Sequence, residues 1–213
     1  MSPRVAAHLG MGAASLVLVS SICFLHSRAA EAKFAMRAHP SERAPAFVLS
    51  DPSGTPVSLE ACRGQNVVLC FSSISCPVSN DYRQRLAAFT SQYSADPRVA
   101  VLQINVGRGL PLPGLSTFPQ APGSRSDPAR VAGPAPLLMD PNCDLAARYA
   151  VDTTPTFFVI DGQGVIRYRG SFDDNRNAAQ VKSHYCHDAL DEVLHDQAVV
   201  NPLTVPFGCT VKR

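Results

Sequence analysis

The sequence predicts an α/β fold with a mixed central β-sheet and helices on both of its faces. Short apolar runs rich in β-branched residues predict buried strands, and amphipathic stretches between them predict helices. In chain order the predicted elements are strands at 66–71 and 99–105 around a helix at 80–93, a strand at 136–139, a helix at 144–149, a hairpin at 156–169 and a helix at 177–196. This alternation favours a layered sheet covered by helices, with the hairpin as its antiparallel part.

The two longest predicted helices are supported by apolar side chains at helical spacing. In the first, Tyr82, Leu86, Phe89 and Tyr93 fall on one face. In the last, the apolar face begins at Cys186. One apolar stripe per helix is expected when each helix packs on a sheet.

The remaining segments are shorter or irregular. Residues 46–49 predict a short first strand, and the Asp-Pro-Ser-Gly sequence at 51–54 predicts a turn. Residues 107–136 are rich in Pro and Gly. A loop of this length is usually functional or disordered.

Composition limits the classes of function. The chain has 213 residues, which fits one globular domain with some additional length. Its net charge of +2 and its lack of basic blocks argue against nucleic acid as a partner. The six His are scattered, with no spacing typical of a zinc site. We therefore expect neither a metal nor a cofactor.

The first 32 residues have the three-part pattern of a secretory signal peptide. Arg4 gives a positive start, residues 9–25 are uncharged and mostly apolar, and Ala-Glu-Ala at 30–32 is a small-x-small site. We expect cleavage there and an extracytoplasmic protein, periplasmic or secreted. A membrane anchor is the alternative if residues 9–25 are retained.

Three further segments follow the predicted signal peptide. Residues 33–43 are expected to be a linker, and residues 44–199 the folded domain. Residues 200–213 are expected to form a C-terminal tail that carries Cys209.

Cys76 is the first candidate catalytic residue, because it stands where a buried strand meets a helix. Pro77 follows it, and Pro is favoured in the first turn of a helix. A thiolate at a helix N-terminus is stabilised by free amides and the macrodipole, which lowers the thiol pKa. The alternative is a half-buried structural cysteine.

The second feature is Thr154-Pro155, directly before the apolar strand that begins at Thr156. A Pro at this place is either a cis residue, which is uncommon in proteins, or one that simply starts a strand.

Together these segments resemble the thioredoxin-like superfamily, and in particular exported redoxins of the alkyl hydroperoxide reductase/thiol-specific antioxidant (AhpC/TSA) type. The resemblance covers about residues 44–199 and rests on the strand-then-Cys-Pro segment at 67–79 and the Thr154-Pro155 loop with its hairpin. It implies a thioredoxin-like fold and a cis Pro155 against a reactive Cys76. Thr154 and Pro155 would then shape the groove for the partner's backbone.

The sequence departs from the thioredoxin pattern at three positions. Thioredoxins have Cys-x-x-Cys, whereas Ser79 occupies the second position here and cannot resolve a mixed disulfide, because that step needs a thiolate. Ser75 replaces the aromatic residue before the reactive Cys. Cys70 replaces a buried Asp and is expected to be a core thiol.

Peroxiredoxins offer a second comparison within the same superfamily. Ser73 fits the hydroxyl position of their Pro-x-x-x-Thr/Ser-x-x-Cys signature, but Leu69 replaces the Pro. Pro155 stands where peroxiredoxins place a peroxide-polarising Arg. The resemblance therefore favours thiol-disulfide chemistry over peroxidase chemistry.

Because position 79 is a serine, the sequence leaves open which cysteine resolves a mixed disulfide on Cys76. Related redoxin-like sequences share a Gly-Cys near the C-terminus, which favours Cys209. Cys143 follows a predicted strand end and is the second candidate, and an external thiol is the third. Cys62 and Cys186 are expected to be structural.

The leading hypothesis is a thiol-disulfide oxidoreductase with the sequence Cys-Pro-Val-Ser at 76–79, acting on protein or small-molecule thiols and disulfides. Its catalytic candidates are Cys76, Pro77, Ser79, Thr154, Pro155 and Cys209. One alternative is a thiol peroxidase that uses the same Cys76. The others are a copper-handling module, since thiolates suit Cu(I), and a redox-inactive binding domain.

Overall fold

A computed structural model of the protein describes residues 38–107 and 135–213. The predicted signal peptide at 1–32, and all of the 107–136 loop except its ends, lie outside the described residues. In the two described segments, no helix has the length and apolar character needed to cross a bilayer.

The described chain alternates strands and helices, as expected from the sequence. Its strands are β1 Val48–Ser50, β2 Pro56–Ser58, β3 Asn66–Ser72, β4 Val99–Val106, β5 Leu137–Asp140, β6 Thr153–Thr154, β7 Thr156–Ile160, β8 Ile166–Gly170 and β9 Cys209–Thr210. Its α-helices are α1 Pro77–Asp81, α2 Arg83–Tyr93, α3 Asp144–Arg148 and α4 Tyr185–Leu194. Short 3-10 turns lie at Glu60–Cys62 and Ala178–Gln180.

The central sheet has five strands in the order β5-β4-β3-β7-β8. β3 is parallel to β4, and β4 is parallel to β5. β7 runs antiparallel to both β3 and β8. The predicted mixed sheet is therefore confirmed, with β3 at its centre.

Apolar side chains cover both faces of this sheet. One buried cluster joins Leu69 and Phe158 of the sheet to Leu145 of α3. The other joins Val68 to Leu86 of α2 and Leu190 of α4. Because side chains alternate along a strand, consecutive residues of β3 supply both clusters, and helices pack on both faces as predicted.

The predicted helix at 80–93 differs from the observed structure. The helical segment begins earlier, at Pro77, and is interrupted at Tyr82, where the N–H of Tyr82 bonds the carbonyl of Ser79 at 3.2 Å. A bond of this i to i+3 type tightens the turn and separates α1 from α2. Regular bonding resumes when the Leu86 N–H donates to the Tyr82 carbonyl.

The last helix is also shorter than predicted. It begins at Tyr185. Asp174 holds the preceding segment in a loop: its N–H donates to the Ser183 carbonyl, and its carboxylate accepts from the Lys182 N–H. Asn177 accepts from the Ala179 N–H in the same segment. Asp and Asn side chains bond nearby backbone in this way and so compete with helix formation.

Candidate active site

Cys76 lies between the central strand and the helical segment that follows it. It is the N-cap of α1, with Pro77 in the first helical position, as the sequence predicted. The Ser79 N–H donates to the Cys76 Sγ at 3.4 Å. A thiolate formed at Cys76 would therefore meet a backbone amide that is free to bond it.

The Ser79 side chain is bonded to the loop that precedes Cys76. Its hydroxyl accepts from the Ser73 N–H at 3.3 Å, and the hydrogen bond to Cys76 comes from the Ser79 backbone. Ser79 is buried, and a buried hydroxyl needs such a hydrogen-bond partner. Ser79 thus fixes the loop between β3 and α1.

The Thr154-Pro155 segment lies directly beside Cys76. Its peptide bond is cis, as the resemblance implied. The Thr154 carbonyl oxygen is 3.2 Å from the Cys76 Sγ, and Thr154 is buried. The structure therefore brings together two segments that are 78 residues apart in the chain.

Cys209 is joined to Cys76 by a disulfide, with 5.9 Å between the two Cα atoms. That separation is within the normal range for such a bond. β9 carries Cys209 and pairs antiparallel with β6, so that Cys209 lies opposite Thr154. The tail strand is therefore aligned on the segment that also faces the Cys76 sulfur.

Gly208 allows this close approach of the tail. A Cβ atom at this position would lie 2.0 Å from the Thr154 carbonyl oxygen and 3.2 Å from Pro155 Cδ. Both distances are shorter than ordinary van der Waals contact, so any larger residue would push the tail away.

The tail is extended but is not a free arm. Thr204 donates its N–H to the Arg169 carbonyl at 3.0 Å, and Phe207 packs on the Tyr82 ring with 6.2 Å between centroids. Beyond Cys209, the Val211 N–H donates to the Asp152 carbonyl at 2.9 Å. The predicted C-terminal tail is therefore docked on the domain on both sides of Cys209.

An open cleft of about 430 Å³ lies over the disulfide. Its lining includes both residues of the disulfide and polar side chains from three segments, namely Ser73, Ser75, Thr154, Thr210 and Lys212. Cys76 is two per cent exposed and Cys209 is partly exposed. No metal-binding group of three or more His, Cys, Asp or Glu residues is formed within 38–107 and 135–213.

Cys143, the second candidate for resolving Cys76, lines the same cleft. It has left-handed backbone, with φ of 61°, and its Sγ donates to the Lys212 carbonyl at 3.7 Å. Burial, and secondarily the nearby Asp140, raises the pKa of the Cys143 thiol. Its sulfur is a free thiol covered by the tail, and Cys209 rather than Cys143 is bonded to Cys76.

The three cysteines expected to be structural are free, buried thiols, namely Cys62, Cys70 and Cys186. Burial raises the pKa of Cys62 to about 11. Burial also raises the pKa of Cys70 and of Cys186, which lie in the sheet and in α4. A neutral buried thiol is a poor nucleophile, because the thiolate is the reactive form.

Cys209 is partly exposed whereas the free cysteines are buried, and this difference in burial predicts an order of alkylation in the reduced protein. Pulses of iodoacetamide between pH 7 and pH 10, followed by peptide mass mapping, should modify Cys209 at least about tenfold faster than Cys70 or Cys186. The rate at Cys62 should still be rising at pH 10, because burial raises the pKa of this thiol to about 11 and its thiolate fraction is still increasing there. Similar rates at Cys70 and Cys209 would contradict the described burial.

Sequence reasoning did not find the pairing of β6 with β9 or the contact of Phe207 with Tyr82. Strands of two residues leave no periodic pattern, so nothing in the sequence marked Thr153–Thr154 as a strand. The Gly-Cys sequence at 208–209 was the one available signal. It indicated Cys209 as a candidate thiol but did not indicate that β9 pairs with β6.

The comparisons with known proteins agree with this architecture. The model of the AhpC/TSA family matches residues 40–169, which is more than half of the chain. A hypothetical protein from Sinorhizobium meliloti 1021 is 29% identical, with a TM-score of 0.64, and the match covers 81% of this chain and 93% of that chain. Among the curated proteins, none matches the chain.

Two further solved structures are similar. An uncharacterized conserved protein from Geobacillus kaustophilus is 24% identical over 83% of this chain and 93% of that chain, with a TM-score of 0.65. A thiol-disulfide oxidoreductase from Bacteroides fragilis NCTC 9343 is 20% identical over 60% of this chain and 89% of that chain, with a TM-score of 0.45. The fold is thioredoxin-like, and the chain belongs to the AhpC/TSA family.

Proposed function

We propose that the protein is a thiol-disulfide oxidoreductase in which Cys76 and Cys209 form the redox pair. The observation that carries this proposal is the disulfide between them, at the end of the central strand and beside cis Pro155. The two cysteines are 133 residues apart in sequence and meet at an open cleft. A bond at such a cleft is accessible to exchange, whereas the four other described thiols are buried.

The reaction follows from the ordinary chemistry of thiol exchange. In the reduced protein, the Cys76 thiolate attacks a disulfide of the substrate, forms a mixed disulfide and releases one substrate thiol. The Cys209 thiolate then attacks the Cys76 sulfur, releases the second substrate thiol and restores the bond seen in the structure. Two electrons pass to the substrate, and two protons accompany them.

The neighbouring groups have distinct parts in these steps. The Ser79 N–H stabilises charge on the Cys76 sulfur, both when it attacks and when it leaves. During attack, a substrate sulfur must occupy the position that the Cys209 Sγ holds in the oxidised form. The segment 153–155 then borders the bound substrate, because it borders Cys209 in the structure.

Turnover of a model disulfide with dithiothreitol as reductant tests the proposal. Wild-type protein should reduce the substrate, and Cys76→Ser should lose at least about 100-fold of the rate, because no other described thiol replaces a positioned nucleophile. Cys70→Ser is the matched control, since Cys70 is a buried thiol of the same strand region. Wild-type activity in Cys76→Ser would exclude Cys76 as the nucleophile.

The same variants separate this function from a thiol peroxidase. A peroxidase would consume hydrogen peroxide and form a sulfenate on Cys76. The cis Thr154-Pro155 segment, whose Thr154 carbonyl oxygen is 3.2 Å from the Cys76 Sγ, has a proline where peroxiredoxins place an arginine, which favours the disulfide reaction. Rapid peroxide consumption that depends on Cys76, with slow disulfide turnover, would favour the peroxidase instead.

We also propose that the protein acts outside the cytoplasm. The support is the positive start, the apolar run and the small-x-small site within residues 1–32. Disulfides also persist best in oxidising compartments. N-terminal sequencing of protein exported by a bacterial host should begin near Lys33. Full-length protein confined to the cytoplasm would contradict this location.

A further inference from the structure

The tail carries one aromatic residue, Phe207, and its ring packs on the ring of Tyr82. The two ring centroids are 6.2 Å apart, with 55° between the ring planes. Phe207 is partly buried and packs against the core cluster that contains Tyr82. The other large apolar side chains between residues 200 and 208 are exposed, namely Val200, Leu203 and Val205. The domain therefore covers one large apolar side chain in this part of the tail, two residues before Cys209.

The Tyr82 ring is held in place from below the surface of the domain. Tyr82 is buried, and its hydroxyl donates to the Asp173 Oδ1 at 2.9 Å. The Arg85 guanidinium lies 3.8 Å from the centroid of the Tyr82 ring and pairs with the other carboxylate oxygen of Asp173. Asp173 is itself buried. A ring fixed by a buried hydrogen bond and by a cation has little freedom to turn, so Phe207 meets a rigid surface.

Tyr82 also links the tail to the helix that begins at Cys76. Cys76 is the N-cap of α1, and Tyr82 is the residue that ends this helix. Cys209 is bonded to the first of these residues, and Phe207 packs on the second. The tail is thus attached at both ends of one short helix, and the attachment at Tyr82 needs no disulfide.

After reduction, only noncovalent contacts keep the tail on the domain. Cys209 reaches Cys76 only in molecules with a docked tail, so its effective concentration falls with the docked fraction. The backbone bonds of Thr204 and Val211 add little net stability, because water replaces them when the tail leaves. The Phe207 ring would instead become exposed to water, which costs free energy in proportion to its apolar area. The ring contact therefore supplies a large part of the free energy that keeps the reduced tail docked.

We propose that Tyr82 and Phe207 are positioning residues for the redox pair: their ring contact keeps the reduced tail docked, with the Cys209 thiol at Cys76. The inference rests on the proposed function, in which these two cysteines exchange with a substrate disulfide. The contact acts in the second step of that exchange. There the Cys209 thiolate forms a bond with the Cys76 sulfur as the bond between Cys76 and the substrate breaks, and the substrate sulfur leaves as a thiolate.

The equilibrium of the disulfide with glutathione tests this inference. Full-length protein is equilibrated at defined ratios of reduced to oxidised glutathione, quenched with acid, alkylated with N-ethylmaleimide and mapped by peptide mass spectrometry. Phe207→Ala should lower the equilibrium constant for the Cys76–Cys209 disulfide by about tenfold, because fewer reduced molecules keep a docked tail. Phe207→Tyr keeps the ring and should restore the wild-type constant. Val205→Ala is the matched control, because it shortens an exposed side chain of the same tail and should have no effect.

A double-mutant cycle tests the part assigned to Tyr82. Tyr82→Leu should lower the constant about as much as Phe207→Ala, and the double variant should lower it no further, because each change removes the same contact. Losses that add in the double variant would overturn the assignment of Tyr82. Denaturant unfolding of the reduced forms checks that each variant is folded. If Tyr82→Leu does not fold, Phe207→Ala and Phe207→Tyr still decide the inference.

The opposite outcomes separate this inference from the proposed function. A wild-type equilibrium constant in Phe207→Ala, or an equal loss in Val205→Ala, would overturn the inference and leave the proposed function intact. A wild-type protein that forms no disulfide between Cys76 and Cys209 at any glutathione ratio would instead contradict the proposed function itself.

Discussion

Replacing Cys209 with serine is expected to stop the reaction after its first step. Cys76 should still attack a substrate disulfide, but the mixed disulfide should persist because serine supplies no thiolate. Cys209 is held opposite Thr154 by strand pairing, so its effective concentration at Cys76 far exceeds that of a millimolar external thiol. Multiple turnover in low external thiol should therefore fall by about 100-fold or more.

Mass spectrometry and a turnover assay measure the two consequences separately. Cys209→Ser should accumulate the substrate adduct on Cys76, while the single-turnover rate of its formation remains fast. Cys143→Ser is the matched control, because it changes a second cysteine that lines the same cleft and should turn over normally. Wild-type rates of multiple turnover for Cys209→Ser at the same low concentration of external thiol would show that Cys209 does not resolve the mixed disulfide.

Changing Gly208 to valine is expected to prevent formation of the disulfide. The new Cβ would lie 2.0 Å from the Thr154 carbonyl oxygen, so β9 could not keep its pairing with β6. The bond closes a loop with a sequence separation of 133, and the chain-entropy model assigns such a loop about 5 kcal/mol of stability. Most of this contribution should be lost in the variant.

Denaturant unfolding before and after reduction provides the measurement. Reduction should lower the unfolding free energy of wild-type protein by several kcal/mol and that of Gly208→Val by little. Thr210→Val is the control, because it places the same side chain at an exposed position of the same strand. A fully oxidised Gly208→Val protein with wild-type stability would show that the tail closes without the close contact.

The sequence by itself determined the fold class and the part of the site formed by Cys76 and Pro77. The apolar runs of β3 and β4 predicted buried strands, because a strand covered on both faces is apolar along most of its length. Pro77 after Cys76 predicted the start of a helix, because proline lacks the N–H that a first turn leaves unbonded. The cis Pro155 came from the family resemblance, since local sequence alone left the strand-start alternative open.

Only the tertiary structure decided how the tail docks and which cysteine is bonded to Cys76, because both depend on contacts between segments distant in the chain. The helix break at Tyr82 and the late start at Tyr185 are exceptions, because they come from short-range bonds that outweigh helix preference. The tail is docked because its backbone meets Asp152 and Arg169, more than thirty residues away. No local pattern records such a contact. The choice of Cys209 over Cys143 as the bonded partner was likewise settled by strand pairing, which places one sulfur at Cys76 and the other beneath Lys212.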